Sequence, residues 1–285
     1  MATTSYDRKT QNVGNMLALE HVNVTVPDQG IATLFYLMGL GFTRDPYMTV
    51  GVDNMWVNLG RQQFHLPTRP DAQVVPGHIG IVVPDIDALR QRLRTVEPRL
   101  TGTEFAWSDE DGYVAVTCPW GNRFRCYAPA PQFGEMVLGM PYVEFPVRPG
   151  TAAGIARFYE RVMGCPAEVS GGATSVETGR WQTLRFVESD APERTYDGHH
   201  VAVYLSNFSK PYEFLQEKGL ITEETDANQY RFQDLVDPEN GEHLFTLEHE
   251  VRSLYHPMYG RNLVNRNSAQ RLGGYTRDAD VFQGA

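Results

Sequence analysis

Residues 21–42, HVNVTVPDQGIATLFYLMGLGF, decide how the chain reads. Val22, Val24 and Val26 alternate with His21, Asn23 and Thr25, the period-two pattern of a strand with one apolar face. Pro27-Asp28 then stops the strand, and apolar residues recur at helical spacing. The stretch predicts strand, turn and helix, with a histidine at the strand head.

The same order returns three times. HIGIVVPDIDALRQRL begins at His78, and HVAVYLSNFSKPYEFLQEKGL begins at His200. EFPVRPGTAAGIARFYERVMGC begins at Glu144, and Glu144 to Phe158 spans the same 14 residues as His21 to Phe35. Short alternating segments follow each helix: YMTVGV (47–52), MWVNLG (55–60) and QQFHLP (62–67) in the first unit, EFAWSD (104–109), YVAVTC (113–118) and RFRCYA (123–128) in the second. In the fourth, YRFQDLVD (230–237), the turn Pro238-Glu239-Asn240-Gly241 and HLFTLEHE (243–250) repeat the pattern. Four units of roughly 50–65 residues result, each strand, helix and three strands. Linkers rich in Pro, Gly and charge separate them at 67–77, 128–141 and 189–198.

Composition sets the outer bounds. The 285 residues are 41% hydrophobic and 21% charged, ordinary for a folded protein of two domains or one large one. No run of 18 apolar residues reads as a membrane span, and the polar start lacks a secretory core. A net charge of −10 argues against nucleic acid or an anionic membrane as partner. Three cysteines (Cys118, Cys126, Cys165) without metal spacing point to a reducing cytoplasm. Phosphate-loop, nucleophile-elbow and zinc-protease motifs are absent from the sequence.

A strand-head histidine, the helix end Phe35-Tyr36 with Leu40-Gly41-Phe42 (Phe158-Tyr159 in the third unit), and the turns Pro119-Trp120-Gly121-Asn122 and Asp237-Pro238 resemble the vicinal oxygen chelate superfamily. That superfamily holds glyoxalase I, bleomycin-resistance proteins and extradiol dioxygenases. The resemblance covers residues 18 to about 250. It implies an α+β fold of four βαβββ modules forming two half-open barrels, with a metal in the concavity. It implies these divisions: leader 1–15, N-terminal domain 16–130 (modules 16–67 and 76–128), C-terminal domain 140–250 (modules 140–189 and 198–250), and an extension over 251–285.

Carried onto this chain, the superfamily's ligand positions fall in the N-terminal half on His21, His65 and His78. Arg125 stands where a glutamate is expected. Three imidazoles suit zinc, and hold iron, nickel or manganese less selectively. Arginine does not ligate metal, and would pair with an anionic substrate group instead. The alternative set, in the C-terminal half, is Glu144, Glu188, His200 and Glu248, with Glu188 placed by an ungapped count of 44 from Glu144. Gln63 shares parity with His65 as a hydrogen-bond partner for it, and Trp56 and Asn58 line either the cavity or the core. Met38, Phe35 and Tyr36 read as core. His199 points to the opposite, solvated face; His243, His249 and His256 read as surface or tail contacts. Glu248, Glu250 and Arg252 read as a charged strand end.

Two functions follow from the resemblance. One is a metal-dependent enzyme (lyase, isomerase or ring-cleaving dioxygenase) carrying one divalent ion, Zn, Fe, Mn or Ni, and acting on a small oxygen-rich substrate. The other is a metal-free protein that sequesters a small molecule. A homodimer is compatible with either.

Overall fold

The computed structural model describes residues 12–48 and 51–266. The expected leader up to residue 11, the frayed end and part of the segment expected as a strand at 47–52 lie outside the described residues. The four units are present. Unit one comprises β1 (Met16–Asn23), α1 (Gln29–Ala32, continued by a π-helical turn Thr33–Gly39), β2 (Thr43–Arg44), β3 (Asn54–Leu59) and β4 (Gln62–Pro67). Unit two comprises β5 (His78–Val82), α2 (Ile86–Val96), β6 (Ala106–Glu110), β7 (Tyr113–Thr117) and β8 (Arg123–Tyr127). Unit three comprises β9 (Gly139–Val147), α3 (Ala152–Phe158, with a π turn Tyr159–Met163), β10 (Ala167–Ser170), β11 (Ala173–Gly179) and β12 (Gln182–Glu188). Unit four comprises β13 (His200–Leu205), α4 (Ser209–Glu217), β14 (Ile221–Asp226), β15 (Gln229–Val236) and β16 (His243–Ser253).

Local chemistry explains the punctuation. Asp28 and Asp85, each after a proline, cap their helices by accepting from Ile31 N (2.8 Å) and Ala88 N (2.9 Å). The turn before β8 closes through Cys118 N donating to Asn122 O at 2.7 Å, with Gly121 at φ +100. Asn122 then ties down the preceding linker by accepting from Val75 N at 2.9 Å.

The units pair differently from the expected halves. One eight-stranded sheet runs β14-β15-β16-β13-β1-β4-β3-β2 and joins units one and four; the other runs β10-β11-β12-β9-β5-β8-β7-β6 and joins units two and three. Consecutive units meet through their helices instead. Phe35, in the π turn after α1, lies 5.7 Å from Phe124 of β8, and Phe158 of α3 lies 5.8 Å from Phe232 of β15. The apolar faces of the first and second units thus share core, as do those of the third and fourth, while the strands pair across the chain. Phe35 and Tyr36 are fully buried as expected, but Met38 is 44% exposed, because the π turn rotates it out of the helical stripe.

The segment after β16 crosses the concave side of the first sheet. Asn58 Nδ2 donates to Val264 O (2.9 Å), Asn265 and Gly60 exchange two hydrogen bonds (2.9 and 2.8 Å), and Arg266 N donates to Thr43 Oγ1 (2.8 Å). Tyr259 packs edge-on to Tyr204 at 4.9 Å.

Candidate metal centre

Because β1 pairs with β13, and β13 with β16, residues from both ends of the chain meet. His21, His200 and Glu250 are buried and offer ligand atoms within 4.8 Å of one another. The His21 and His200 rings sit 5.8 Å apart, and His65 on β4 lies 5.9 Å from His21. Trp56 of β3 stacks on His65 at 4.0 Å and meets His21 edge-on at 4.9 Å, so it walls the centre.

Three imidazole nitrogens here, Nε2 of His21, His65 and His200, are buried without a hydrogen-bond partner. An unpaired buried polar atom costs about 1–3 kcal/mol, and here three converge, His200 Nε2 lying 3.5 Å from Glu250 Oε2, so one shared cation would satisfy them together. Supporting contacts hold the rings. His21 Nδ1 lies 3.1 Å from Glu20 Oε2, and Glu20 also pairs with Arg252 and accepts from Tyr204 OH at 3.1 Å. Glu248 Oε1 lies 3.4 Å from His200 Nδ1 and accepts from Arg231 at 2.6 Å. Glu250 pairs with Arg231 and lies 2.5 Å from Arg252 Nη2, although Glu250 Oε1 gains no aligned hydrogen bond there.

Electrostatics favour a donor set. Burial pushes the His65 imidazole down to about 2, with His21 and His200 adding to the effect. Burial likewise lowers His200. Burial raises Glu250, but the His200 contact and the Arg252 and Arg231 guanidiniums more than offset this, and the carboxylate sits below its usual range. Lowered His65 and His200 imidazoles beside an ionised Glu250 carboxylate are donors that suit a divalent cation. The residues therefore fit a metal through two nitrogens and one oxygen, with His65 as a further nitrogen nearby. This set is the arrangement of non-haem iron(II) oxygenase sites, and zinc also accepts it.

The expected sets are only partly assembled. His78 and Arg125 lie in the other sheet, so they do not meet His21 and His65. Glu144 lies 3.3 Å from His78 Nδ1, also in the second sheet, and is thus separated from His200 and Glu248. Glu188 accepts from Ala152 N at 3.0 Å and anchors the start of α3. Gln63 does not bond His65; it donates to Asn58 (2.6 Å) and Asp45 (3.1 Å) and accepts from Arg261 (3.2 Å).

His199 faces away from the centre but is buried, with Nδ1 2.7 Å from Asp197. His249 is a core residue, stacked on Phe232 at 4.6 Å and bonded to Tyr159 OH at 2.7 Å. His243 is exposed, and His256 reaches Tyr204 from the tail segment. Glu250 and Arg252 belong to the centre rather than to a charged strand end. Their signal was the period-two run Glu248, Glu250, Arg252. The β15–β16 pair hides it behind register slips between Phe232 and Asp234 and between Leu235 and Val236.

A cavity of about 870 Å³ lies alongside, bordered by Glu20, Gln62, Tyr204, Arg180, Trp181 and Arg261. None of the three ligand residues lines it; Glu20, which does, contacts His21.

No family model and no curated protein matches the sequence. Solved structures do match. Glyoxalase I from Zea mays aligns at a TM-score of 0.58 and 16% identity, over 87% of this chain and 95% of that one. A candidate dioxygenase from Bacillus subtilis aligns at 0.56 and 14%, over 84% and 86%. The chain has the vicinal oxygen chelate fold, with two eight-stranded half-open sheets. Among the described residues no helix is long and apolar enough to cross a membrane.

Proposed function

We propose that the chain is a metal-dependent enzyme acting on a small substrate with two vicinal oxygens, and that a ring-opening oxygenase is the reading its donor set supports best. The carrying observation is the convergence of His21, His200 and Glu250 with their unpartnered nitrogens. Iron(II) suits two histidines and one carboxylate first; zinc, manganese and nickel follow. Such an ion, when bound, supplies Lewis acidity toward the substrate oxygens.

The chain's own residues do the remaining work. Glu20 orients His21 through Nδ1, leaving Nε2 for the ion. Arg231 and Arg252 fix Glu250. Trp56 gives a flat apolar wall that excludes water. Tyr204, bonded to Glu20 and pushed well above the usual phenol range chiefly by burial, keeps its proton at the cavity edge. A reducing cytoplasm fits three buried free thiols.

The contact of Glu250 with two guanidiniums favours a second reading, a metal-free binder whose histidines bond the ligand directly. Anaerobic titration with iron(II), followed by oxygen uptake with a panel of catechols, separates the two. The enzyme reading expects stoichiometric iron, lost in His200→Ala, and uptake dependent on it. Equal iron in wild type and His200→Ala would refute the centre. Iron binding without oxygen uptake would refute the oxygenase and leave a lyase or isomerase.

A further inference from the structure

The second sheet carries a counterpart of the metal centre with its charge inverted. Register sets the equivalence. Asn23 pairs with His200 as Glu144 pairs with His78, and His21 pairs with Ala202 as Tyr142 pairs with Gly80. On the flanking strands, His65 corresponds to Arg185 and Glu250 to Arg125, with Arg123 in the place of Glu248. The His21–His200 ring contact at 5.8 Å reappears as Tyr142–His78 at 5.5 Å. One ligand position is thus conserved in type, and both carboxylates and one imidazole have become guanidiniums.

Those guanidiniums make their close contacts with carbonyls and rings rather than with carboxylates. Arg123 donates to the backbone carbonyls of Gly77 (3.2 Å) and Pro76 (2.7 Å). Arg125 lies over the Tyr113 ring at 5.3 Å, and Arg185 over Tyr142 at 3.9 Å. Among the described residues none of the three has a carboxylate at ion-pair distance, whereas Arg231 and Arg252 in the first sheet are both paired. Glu144 is the nearby acid, and it is turned to His78. A cavity of about 170 Å³ opens between His78, Tyr113, Thr117, Arg123 and Arg125. Its volume suits a small group, and stacked guanidiniums keep their donor edges free.

We propose that this second concavity binds a small oxyanion, a carboxylate or a phosphate, with Arg125 as the principal donor and Arg123 and Arg185 supplying field. Bidentate pairing between guanidinium and oxyanion is the chemistry the residues offer. The site needs no metal and is independent of the proposed enzyme.

Calorimetric titration of the full chain with inorganic phosphate, and separately with malonate, tests it. One of the two should bind saturably, and the stronger arm tells carboxylate from phosphate. Arg125→Gln should weaken that binding at least tenfold. Arg185→Gln, which leaves the cavity lining intact, should weaken it by a smaller factor. His200→Ala should leave it unchanged, so failure here and failure of the metal centre are distinguishable. Absence of saturable binding by either anion, or equal binding by wild type and Arg125→Gln, would overturn the proposal.

Discussion

Gln62 and Gln182 make the same hydrogen bond in opposite directions between the two sheets. Gln62 Oε1 accepts from Met140 N at 3.0 Å, and Gln182 Oε1 accepts from Leu19 N at 3.2 Å while its Nε2 donates to Leu19 O at 2.9 Å. Both side chains stand at the start of the last strand of their unit and reach the first strand of a unit in the opposite sheet. Each satisfies a buried backbone group where a strand bulges and loses its neighbour. Replacing Gln182 with Leu should cost about 1–3 kcal/mol in urea unfolding, since Leu19 is left with unpaired backbone groups. Gln62→Leu should cost less, having one such bond to lose. Equal stability of wild type and Gln182→Leu would show that the clamp is dispensable.

Gly77 lets its backbone lie close against β9. A Cβ there would lie 1.7 Å from Glu144 O, a backbone atom that cannot step aside alone. Gly77→Ala should destabilise by roughly 1–3 kcal/mol or more through strain at the β5–β9 seam. A thermal midpoint within a degree of wild type would contradict the contact.

Metal retention should depend on which sheet is altered. His21→Ala and Glu250→Gln should each lower bound metal severely, because each removes one of three donors. His78→Ala should leave metal content unchanged, since His78 belongs to the other sheet. Elemental analysis of the three variants decides this; metal loss in His78→Ala alone would reverse the assignment.

Arg261 secures the tail segment. It pairs with Asp45 at 2.9 Å, and the Asp45 side chain is fully buried. Arg261→Ala would remove the Asp45 carboxylate's cationic partner, leaving it Gln63 Nε2, Tyr47 N and Met48 N as donors. Stability should fall by about 1–3 kcal/mol, and amide exchange at Arg266 should accelerate. Unaltered exchange would mean that Asn58 and Asn265 hold the segment without it.

His249 should make the protein acid-sensitive. Burial pushes its imidazole down to about 4, with the Leu247 carbonyl acting weakly the other way. The folded state then refuses a proton that the unfolded chain accepts below about 6.5. Stability is complete above that value, falls as pH drops from 6.5 toward 4, and is lost on the order of 3 kcal/mol below it. His249→Gln, which still accepts from Tyr159, should flatten the dependence of midpoint on pH across that window. An unchanged slope would assign the acid sensitivity elsewhere.

The repeat was legible because Val22, Val24 and Val26 and their counterparts obey a local rule, and Asp28 and Asp85 announce their helices by capping them. The partnership of units was not. Period-two patterning says that β1 has an apolar face, yet β1 is central and pairs β13 across a gap of about 180 residues. Hence His21 was legible as a site residue, His200 was placed in the alternative set, and Glu250 was passed over. The ungapped count that paired Glu144 with Glu188 failed for a related reason. Strand register slips by two between the first and third units, so Glu144 occupies the place of Asn23.

The pairing of β1 with β13 and β16 has a consequence for biosynthesis. His21 leaves the ribosome early, but its partner Glu250 emerges only when the fourth unit is nearly complete. Until then the first four strands expose one unzipped edge, the edge that β13 will occupy, while the second and third units can already close on each other. The second sheet can thus form as a finished template during synthesis, and the metal centre is the last part of the molecule to come into existence. A nascent or truncated chain would hold the arginine-lined concavity without the histidine-lined one.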